Sequence, residues 1–334
     1  MADLKLAVKN LTGAATKDVD PKELRPKVEA VLEAFDGARE GAQLAAVKAV
    51  AAALMKAKGR GEQVLALALG AMVEGGAPPE AAWPATEKGL AATLEQATAF
   101  AHAVTNAAGS EDLASALGSH GAVVAVLMPG EAAAWKSMSA RCLTAVACLA
   151  RSKEVRAKAR KDASLAEAAW ELSDAVGEVG ALLQALSILD DAVFEVRDPA
   201  TKKTWRLVVD GVSANAELYL LVAHATGAKV DAKVLASLRA GEAPKKKRVT
   251  LPFTLGIDPE ELASDTARAL VLRPGAVTIE TAHLPVLEGL RPDVRVDDES
   301  GVEEVEEVRV KPRPRSSRPL VARPRAAPKG RSRR

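Results

Sequence analysis

Aromatic residues are scarce in this chain, and cysteine is scarcer still. Only 3% of the 334 residues are Phe, Trp or Tyr, and two are cysteines. Cys142 and Cys148 fall in one predicted helix, six residues apart, so we expect them to point about 120° apart and not to form a disulfide with each other. Arg141 favours the Cys142 thiolate, but a cysteine among Ala and Leu in a helix is typical of a packed apolar residue. Without a signal peptide, this usage predicts a cytoplasmic protein.

Long apolar runs and catalytic motifs are also missing. The longest apolar run, residues 64–73, is too short for a membrane span and predicts a buried helix. The four histidines have no metal-ligand spacing, and neither a phosphate-binding loop nor a nucleophile elbow occurs. We therefore expect no membrane span, no metal and no cofactor. An enzyme would need catalytic groups from scattered positions, and Glu217, Tyr219 and His224 of one predicted helix are the candidates for that alternative.

Alanine, leucine, glutamate and lysine dominate the rest of the chain and favour helix. This composition is typical of GC-rich coding sequence, most often bacterial. The predicted fold is mainly α, with an Ala-rich multi-helix bundle at 21–190 that a HEAT-like array of helix pairs would also satisfy. A small α+β domain is predicted at 191–294. Residues 1–20 form an N-terminal segment without an assigned element, and 295–334 form a charged C-terminal tail that we predict to be disordered.

Within the predicted α+β domain the apolar period changes from helical to alternating. The segment 192–211 predicts a β-hairpin closed by an Asp-Pro turn. Further strands are predicted at 248–253 and 276–280, and a helix capped by Asp258 is predicted over 258–272. In the preceding helical domain, one long helix is predicted from about Glu80 to Ala107.

A heptad pattern spans residues 165–186. Its apolar positions repeat in alternating steps of four and three: Leu165, Ala169, Leu172, Val176, Val179, Leu183 and Leu186. Two interpretations are open, a helix that packs into its own domain or a zipper that forms a homodimer. The alanine in the seam and the short length favour internal packing.

A basic cluster follows Pro244. It consists of Lys245, Lys246, Lys247 and Arg248. The cluster resembles a nuclear import signal in composition only, and it lies between a predicted helix and a predicted strand. A solvated surface loop is therefore the favoured interpretation, and contact with a polyanion is the alternative.

The tail carries most of the uneven charge. Residues 296–308 hold seven acidic residues, and residues 311–334 hold ten basic ones and no acidic one. With the cluster at 245–248, the candidate polyanion-binding residues are Lys311, Arg313, Arg315, Arg318, Arg323, Arg325, Lys329, Arg331, Arg333 and Arg334. Such a segment can neutralise phosphates, but without aromatic residues it predicts sequence-tolerant binding. A solubilising tail, or one that folds back on the acidic run, is the alternative.

These features predict a non-enzymatic protein-interaction or scaffold protein with a protein partner. The alternative is a protein that associates electrostatically with DNA or RNA through the tail. An enzyme without a local motif is the third possibility.

Overall fold

The computed structural model describes residues 3–17, 21–255, 268–282, 284, 287 and 289–297. All of them belong to the first of two compact units, Met1–Asp298. The second unit, Glu299–Arg334, lies outside the described residues, and so do the tail residues named above and most of the helix predicted at 258–272.

The described residues form thirteen helices and five strands, so the fold is mostly helical with a small mixed sheet. The helices are α1 Leu4–Ala15, α2 Pro21–Asp36, α3 Glu40–Leu54, α4 Gly59–Glu74, α5 Pro79–Glu87, α6 Leu90–Ala108, α7 Leu113–Leu127, α8 Pro129–Arg151, α9 Lys153–Ala159, α10 Ala163–Trp170, α11 Gly177–Leu186, α12 Asn215–Ala225 and α13 Ala232–Ala240. The strands are β1 Ala192–Asp198, β2 Lys203–Asp210, β3 Arg248–Leu255, β4 Arg268–Glu280 and β5 Asp293–Val296.

Helix α8 lies at the centre of the helical part and packs against α4, α5, α6 and α11. The Thr144 hydroxyl of α8 donates a hydrogen bond to the carbonyl oxygen of Ala66 in α4, at 2.6 Å. Gly70 of α4 lies against the backbone of the same threonine. Small residues at this crossing therefore let the two helices approach closely, which is how an alanine-rich chain with few aromatic residues builds a dense core.

Helix α1 occupies a segment for which the sequence had indicated no element. Asp3 caps it, since its Oδ1 accepts a hydrogen bond from the Lys5 amide at 3.0 Å. The buried residues of α1 recur at helical spacing: Leu4, Val8, Leu11 and Ala15. The N-terminal segment thus contributes one amphipathic helix to the main core.

Two predicted helices are each divided. The long helix predicted from Glu80 to Ala107 is wrong as a single element, because α5 ends at Glu87 and Gly89 adopts the left-handed conformation at φ +76° before α6 begins. The segment 165–186 forms α10 and α11 with a turn between them. Most of its seam residues are buried in the core of the same chain, so a zipper through them would have to withdraw them from that core.

The five strands form one sheet in the order β3-β4-β1-β2-β5. The predicted hairpin is confirmed, with β1 and β2 antiparallel and Phe194 paired with Leu207. Strand β4 runs parallel to β1, and its residues 268–272 are therefore strand and not the end of the predicted helix. The short strand β5, which pairs with β2, had not been predicted.

One face of the sheet is covered by α12 and α13, whose buried leucines and valines form a second core with the sheet residues. The opposite face is exposed. Among its residues, Glu195, Arg206 and Thr250 alternate along their strands with buried side chains. This alternation is the period-two pattern that allowed the hairpin to be predicted.

A network of ion pairs joins the helical part to the sheet. Arg156 of α9 binds Asp190, which precedes β1, through two hydrogen bonds of 2.6 and 2.8 Å, and both side chains are buried. Arg160 reaches the same carboxylate at 2.9 Å. Beside them, Lys153 Nζ lies 2.6 Å from Asp191 and 2.8 Å from Asp210 of β2. The junction is therefore held by charge-assisted hydrogen bonds that both sides share.

Candidate interaction face on helix α7

Two of the three catalytic candidates, Glu217 and Tyr219, form hydrogen bonds that stabilise the fold. Glu217 is buried, and its Oε2 accepts hydrogen bonds from the amides of Ser213 at 2.7 Å and Ala214 at 3.2 Å, at the start of α12. The Tyr219 hydroxyl donates to the carbonyl oxygen of Leu255 and accepts from its amide, both at 3.0 Å. His224 is exposed at the other end of the helix. These hydrogen bonds of Glu217 and Tyr219 thus go to backbone groups and not to each other or to His224.

The two thiols are buried and unpaired. Burial raises the pKa of Cys142 to about 12 and outweighs the opposing charge of Arg141. Burial likewise raises the pKa of Cys148 to about 12. A raised pKa disfavours the nucleophilic thiolate at neutral pH, and both thiols pack as small side chains in the core.

Metal-ligand clusters and membrane-spanning helices were sought in the part of the chain that the structure describes. Within it, no group of three or more His, Cys, Asp or Glu side chains could hold a metal ion. None of its helices combines the length and apolarity needed to cross a bilayer.

The basic cluster lies in an exposed loop between α13 and β3. Lys246 Nζ is 3.5 Å from Asp231, and Arg248 Nη2 is 2.9 Å from Glu280 of the neighbouring strand. Lys245 and Lys247 are exposed without an ion pair in the described region. Half of the cluster's charge is thus neutralised by surface carboxylates.

Helix α7 turns an uncharged, largely apolar face to the solvent. Val123, Val126 and Leu127 are 62%, 80% and 75% exposed, and their spacing of three and four residues places them on one side of the helix. His120 is the only ionisable side chain in α7. Since a surface helix normally carries charged residues on its outer side, this α7 face (Val123, Val126 and Leu127 with the small residues beside them) is unusual for exposed protein.

Local sequence determines where α7 begins and ends. Asp112 caps it, since its Oδ1 accepts a hydrogen bond from the Ala114 amide at 3.2 Å, and Pro129 begins α8 directly after it. The inner side of α7 packs on α6, where Val124 joins Phe100 in a small cluster separate from the main core. The inner side is thus satisfied within the chain, and the outer side remains free of any covering element among the described residues.

Carboxylates flank helix α7 in the chain at both of its ends. Glu111 and Asp112 precede the helix, and Glu131 follows it in the first turn of α8. Residues 89–135 contain four acidic residues and no Lys or Arg, and the first cation after Glu131 is Lys136 of α8. Helix α7 therefore carries an exposed apolar stripe and is flanked in the chain by carboxylates.

The sequence contains a signal for this face that helical periodicity alone does not reveal. Residues 113–130 have no acidic or basic side chain apart from His120. Periodicity assigns such apolar positions to a core, whereas only the packing shows which of them point outward. No family model, no curated protein and no solved structure matches this chain at a significant level.

Proposed function

We propose that this chain is a non-enzymatic protein-interaction protein that binds a protein partner through the α7 face. The observation that carries this proposal is the exposure of Val123, Val126 and Leu127 on one helix side without a charge between them. Contiguous apolar surface of this kind is typical of interaction sites. The inert thiols and the structural roles of Glu217 and Tyr219 remove the chemistry that an enzyme would need at those residues.

The helical part would serve as the rigid support for this face. Helix α7 packs on α6, which packs on the central helix α8. In a HEAT-like array, stacked helix pairs would form a longer rigid support of the same kind. Fully burying each of the three exposed side chains is worth roughly 1.5–3 kcal/mol before the costs of association. Three such residues can anchor a modest interface, with the small residues beside them providing close contact.

Site-specific photocrosslinking in the native host tests the proposal. A photoreactive amino acid replaces Val126 in the full chain, and the control replaces Leu67 of α4, which is also exposed, at 47%. We expect a discrete heavier adduct from position 126 and none of the same size from position 67. Identical adduct patterns from both positions, or none from either, would contradict an interaction site on α7.

Association with nucleic acid is a second candidate function, supported by the arginines on the open face of the sheet. Strands β1, β2, β4 and β5 each present one exposed arginine there: Arg197, Arg206, Arg273 and Arg295. Arg273 has no ion pair among the described residues, but Arg197, Arg206 and Arg295 pair with Glu195, Asp297 and Asp210. A phosphate backbone would have to displace those carboxylates, so the tail would supply most of the binding.

Salt dependence separates this candidate from the first. In the full-length chain, the ten basic residues at 311–334 are changed to glutamine, and the affinity for labelled single-stranded DNA is measured by fluorescence anisotropy at several salt concentrations. If the tail binds phosphates, the wild type shows a steep salt slope and the variant a much flatter one. Equal and weak binding by both proteins would exclude the candidate.

A further inference from the structure

We infer that the α7 face takes one kind of partner segment, an amphipathic helix of another protein with lysine or arginine at both ends of its apolar side. This inference rests on the proposed function and adds the chemistry of the partner. The apolar residues Val123, Val126 and Leu127 would contact the apolar side of that helix. The acidic ends of the face, Glu111 with Asp112 and Glu131, would meet its basic ends.

Backbone chemistry favours a helix over an extended segment as the occupant. The amides and carbonyls of α7 are engaged in its own helical hydrogen bonds, so the face offers no strand edge to which a peptide could be added. Small residues at spacings of four, Ala114, Gly118 and Ala122, are exposed beside the larger ones. A Cβ added to Gly118 would meet nothing within 4 Å, so another helix can approach closely here.

Charge disfavours a second copy of this chain as the occupant. In a two-fold symmetric dimer through α7, each end of the helix meets either the same end or the opposite end of its copy. Both ends are acidic, with Glu111 and Asp112 at one and Glu131 at the other. Symmetric pairing through α7 therefore brings carboxylates of the two copies toward each other, and Lys136 of α8 is the first cation after them in the chain.

The same charges disfavour a lipid surface. Amphipathic helices that bind membranes carry lysine and arginine around their apolar side and are drawn to anionic lipid. The α7 face has carboxylates in those positions. Its charge pattern thus complements a basic partner and not an anionic membrane.

The length of α7 defines the probe. Its 15 residues span about 22 Å, or four turns. The probe is therefore a fluorescein-labelled helical peptide of about 16 residues with a leucine and alanine side and two lysines at each end. A matched peptide carries glutamates in place of the lysines and is otherwise identical.

Fluorescence anisotropy with the full-length chain tests the inference. We expect the lysine-ended peptide to bind at least about tenfold more tightly than the glutamate-ended one. Val126→Glu in the protein should abolish most of that binding. The control Leu6→Glu replaces an apolar side chain of α1 that is 55% exposed and should leave binding unchanged. Circular dichroism checks that both variants fold.

The charge contribution is measured separately. The double variant Glu111→Gln and Glu131→Gln leaves the cap Asp112 and the apolar side in place. It should lower the affinity for the lysine-ended peptide by roughly threefold to tenfold and make that affinity less dependent on salt concentration.

The outcomes distinguish the inference from the function on which it rests. If both peptides bind equally and Val126→Glu abolishes both, the interaction face stands and the basic-partner inference is wrong. If Val126→Glu has no effect on peptide binding and position 126 gives no adduct in the host, both fall. If sedimentation shows a wild-type dimer that Val126→Glu converts to monomer, the occupant is a second copy, and the inference is overturned.

Discussion

Asp190 accepts hydrogen bonds from two arginines at once, and it does so from a buried position. Arg156 binds both of its oxygens and is itself buried, while Arg160 adds a third contact. Removing one partner from a buried pair leaves the other charge without compensation, which costs more than the pair itself contributes. The arrangement therefore makes a single carboxylate decisive for the junction between α9 and β1.

We expect Asp190→Ala to lower the free energy of unfolding by about 3–5 kcal/mol, because Arg156 would remain buried and unpaired. Urea denaturation of the full chain measures the change. The matched control is Glu29→Ala, which removes a carboxylate paired with Arg25 on the surface of α2 and should change stability by less than about 0.5 kcal/mol. Similar losses in the two variants would show that the buried pair is not special.

The two thiols give a second prediction at the scale of single residues. Since burial raises the pKa of Cys142 and Cys148 to about 12, the reactive thiolate is a minute fraction at pH 8. We expect no reaction with Ellman's reagent in the native protein and two reactive thiols in denaturant. Rapid labelling of either cysteine in the native state would contradict the assignment of both as packed core residues.

At the scale of helices, the close approach of α1 to α4 depends on Gly61 of α4. A Cβ at Gly61 would overlap the carbonyl oxygen of Ala15 at the end of α1. Backbone is a stiff neighbour, so the two helices would have to move apart. Gly61 thus sets the separation of α1 and α4, in the same way that a small side chain does at other crossings.

Gly61→Ala should lower the free energy of unfolding by about 1–3 kcal/mol. Gly13→Ala is the matched control, because Gly13 lies in α1 with nothing within 4 Å of an added Cβ and alanine is the better helix former by about 0.5–1 kcal/mol. Thermal unfolding followed by circular dichroism should therefore move in opposite directions for the two variants. If the thermal unfolding midpoint of Gly61→Ala equalled that of the wild type, the close contact between α1 and α4 would not contribute to stability.

Sequence patterns predicted elements well where they depend on local periodicity and poorly where they depend on distant partners. The hairpin of β1 and β2 has its alternation and turn within one short segment. Residues 269–272 are an apolar run that fits helix or strand, and pairing with β1 decides for strand. The heptad pattern at 165–186 continues through the turn between α10 and α11, because Leu172 in that turn is also buried in the core. The pattern therefore did not reveal the break between the two helices. For the candidate site, the charge-free run at 113–130 is present in the sequence, but its outward direction follows only from packing on α6.

At the scale of the whole described chain, Asp210 connects the sheet to the helical part. Partial burial opposes ionisation of Asp210, but hydrogen bonds from Lys153 and from the Asp191 amide outweigh it and hold its pKa below the ordinary value of 3.8. The pKa of Lys153 is raised above 10.5 by Asp191 and then by Asp210. Each partner thus favours the charged form of the other.

These two shifts predict a stability plateau with an acid and an alkaline limit. A carboxyl with a lowered folded-state pKa stabilises the fold above its unfolded-state value and loses that contribution as the pH falls through the folded-state value. A lysine with a raised pKa contributes below 10.5 and loses its contribution as the pH rises through its folded-state value.

We expect Asp210→Asn to be less stable than wild type at pH 7 and to lose less stability between about pH 5 and pH 2. Thermal midpoints across that range measure both effects. Asp174→Asn is the control, since its carboxylate is exposed in the turn between α10 and α11 and forms no ion pair with the other described residues. Parallel curves for wild type and Asp210→Asn would exclude a role for Asp210 in the acid limit.

The parallel pairing of β1 with β4 has a consequence for synthesis of the chain. The hairpin of β1 and β2 emerges from the ribosome early, but its two edges are covered by β4 and β5, which lie at 268–280 and 293–296. Until those strands are made, the nascent hairpin has two open edges that can pair with another nascent chain. A chain released after β2 and before β4 would carry a hairpin with both edges unpaired, so β4 and β5 protect the hairpin from pairing with other chains.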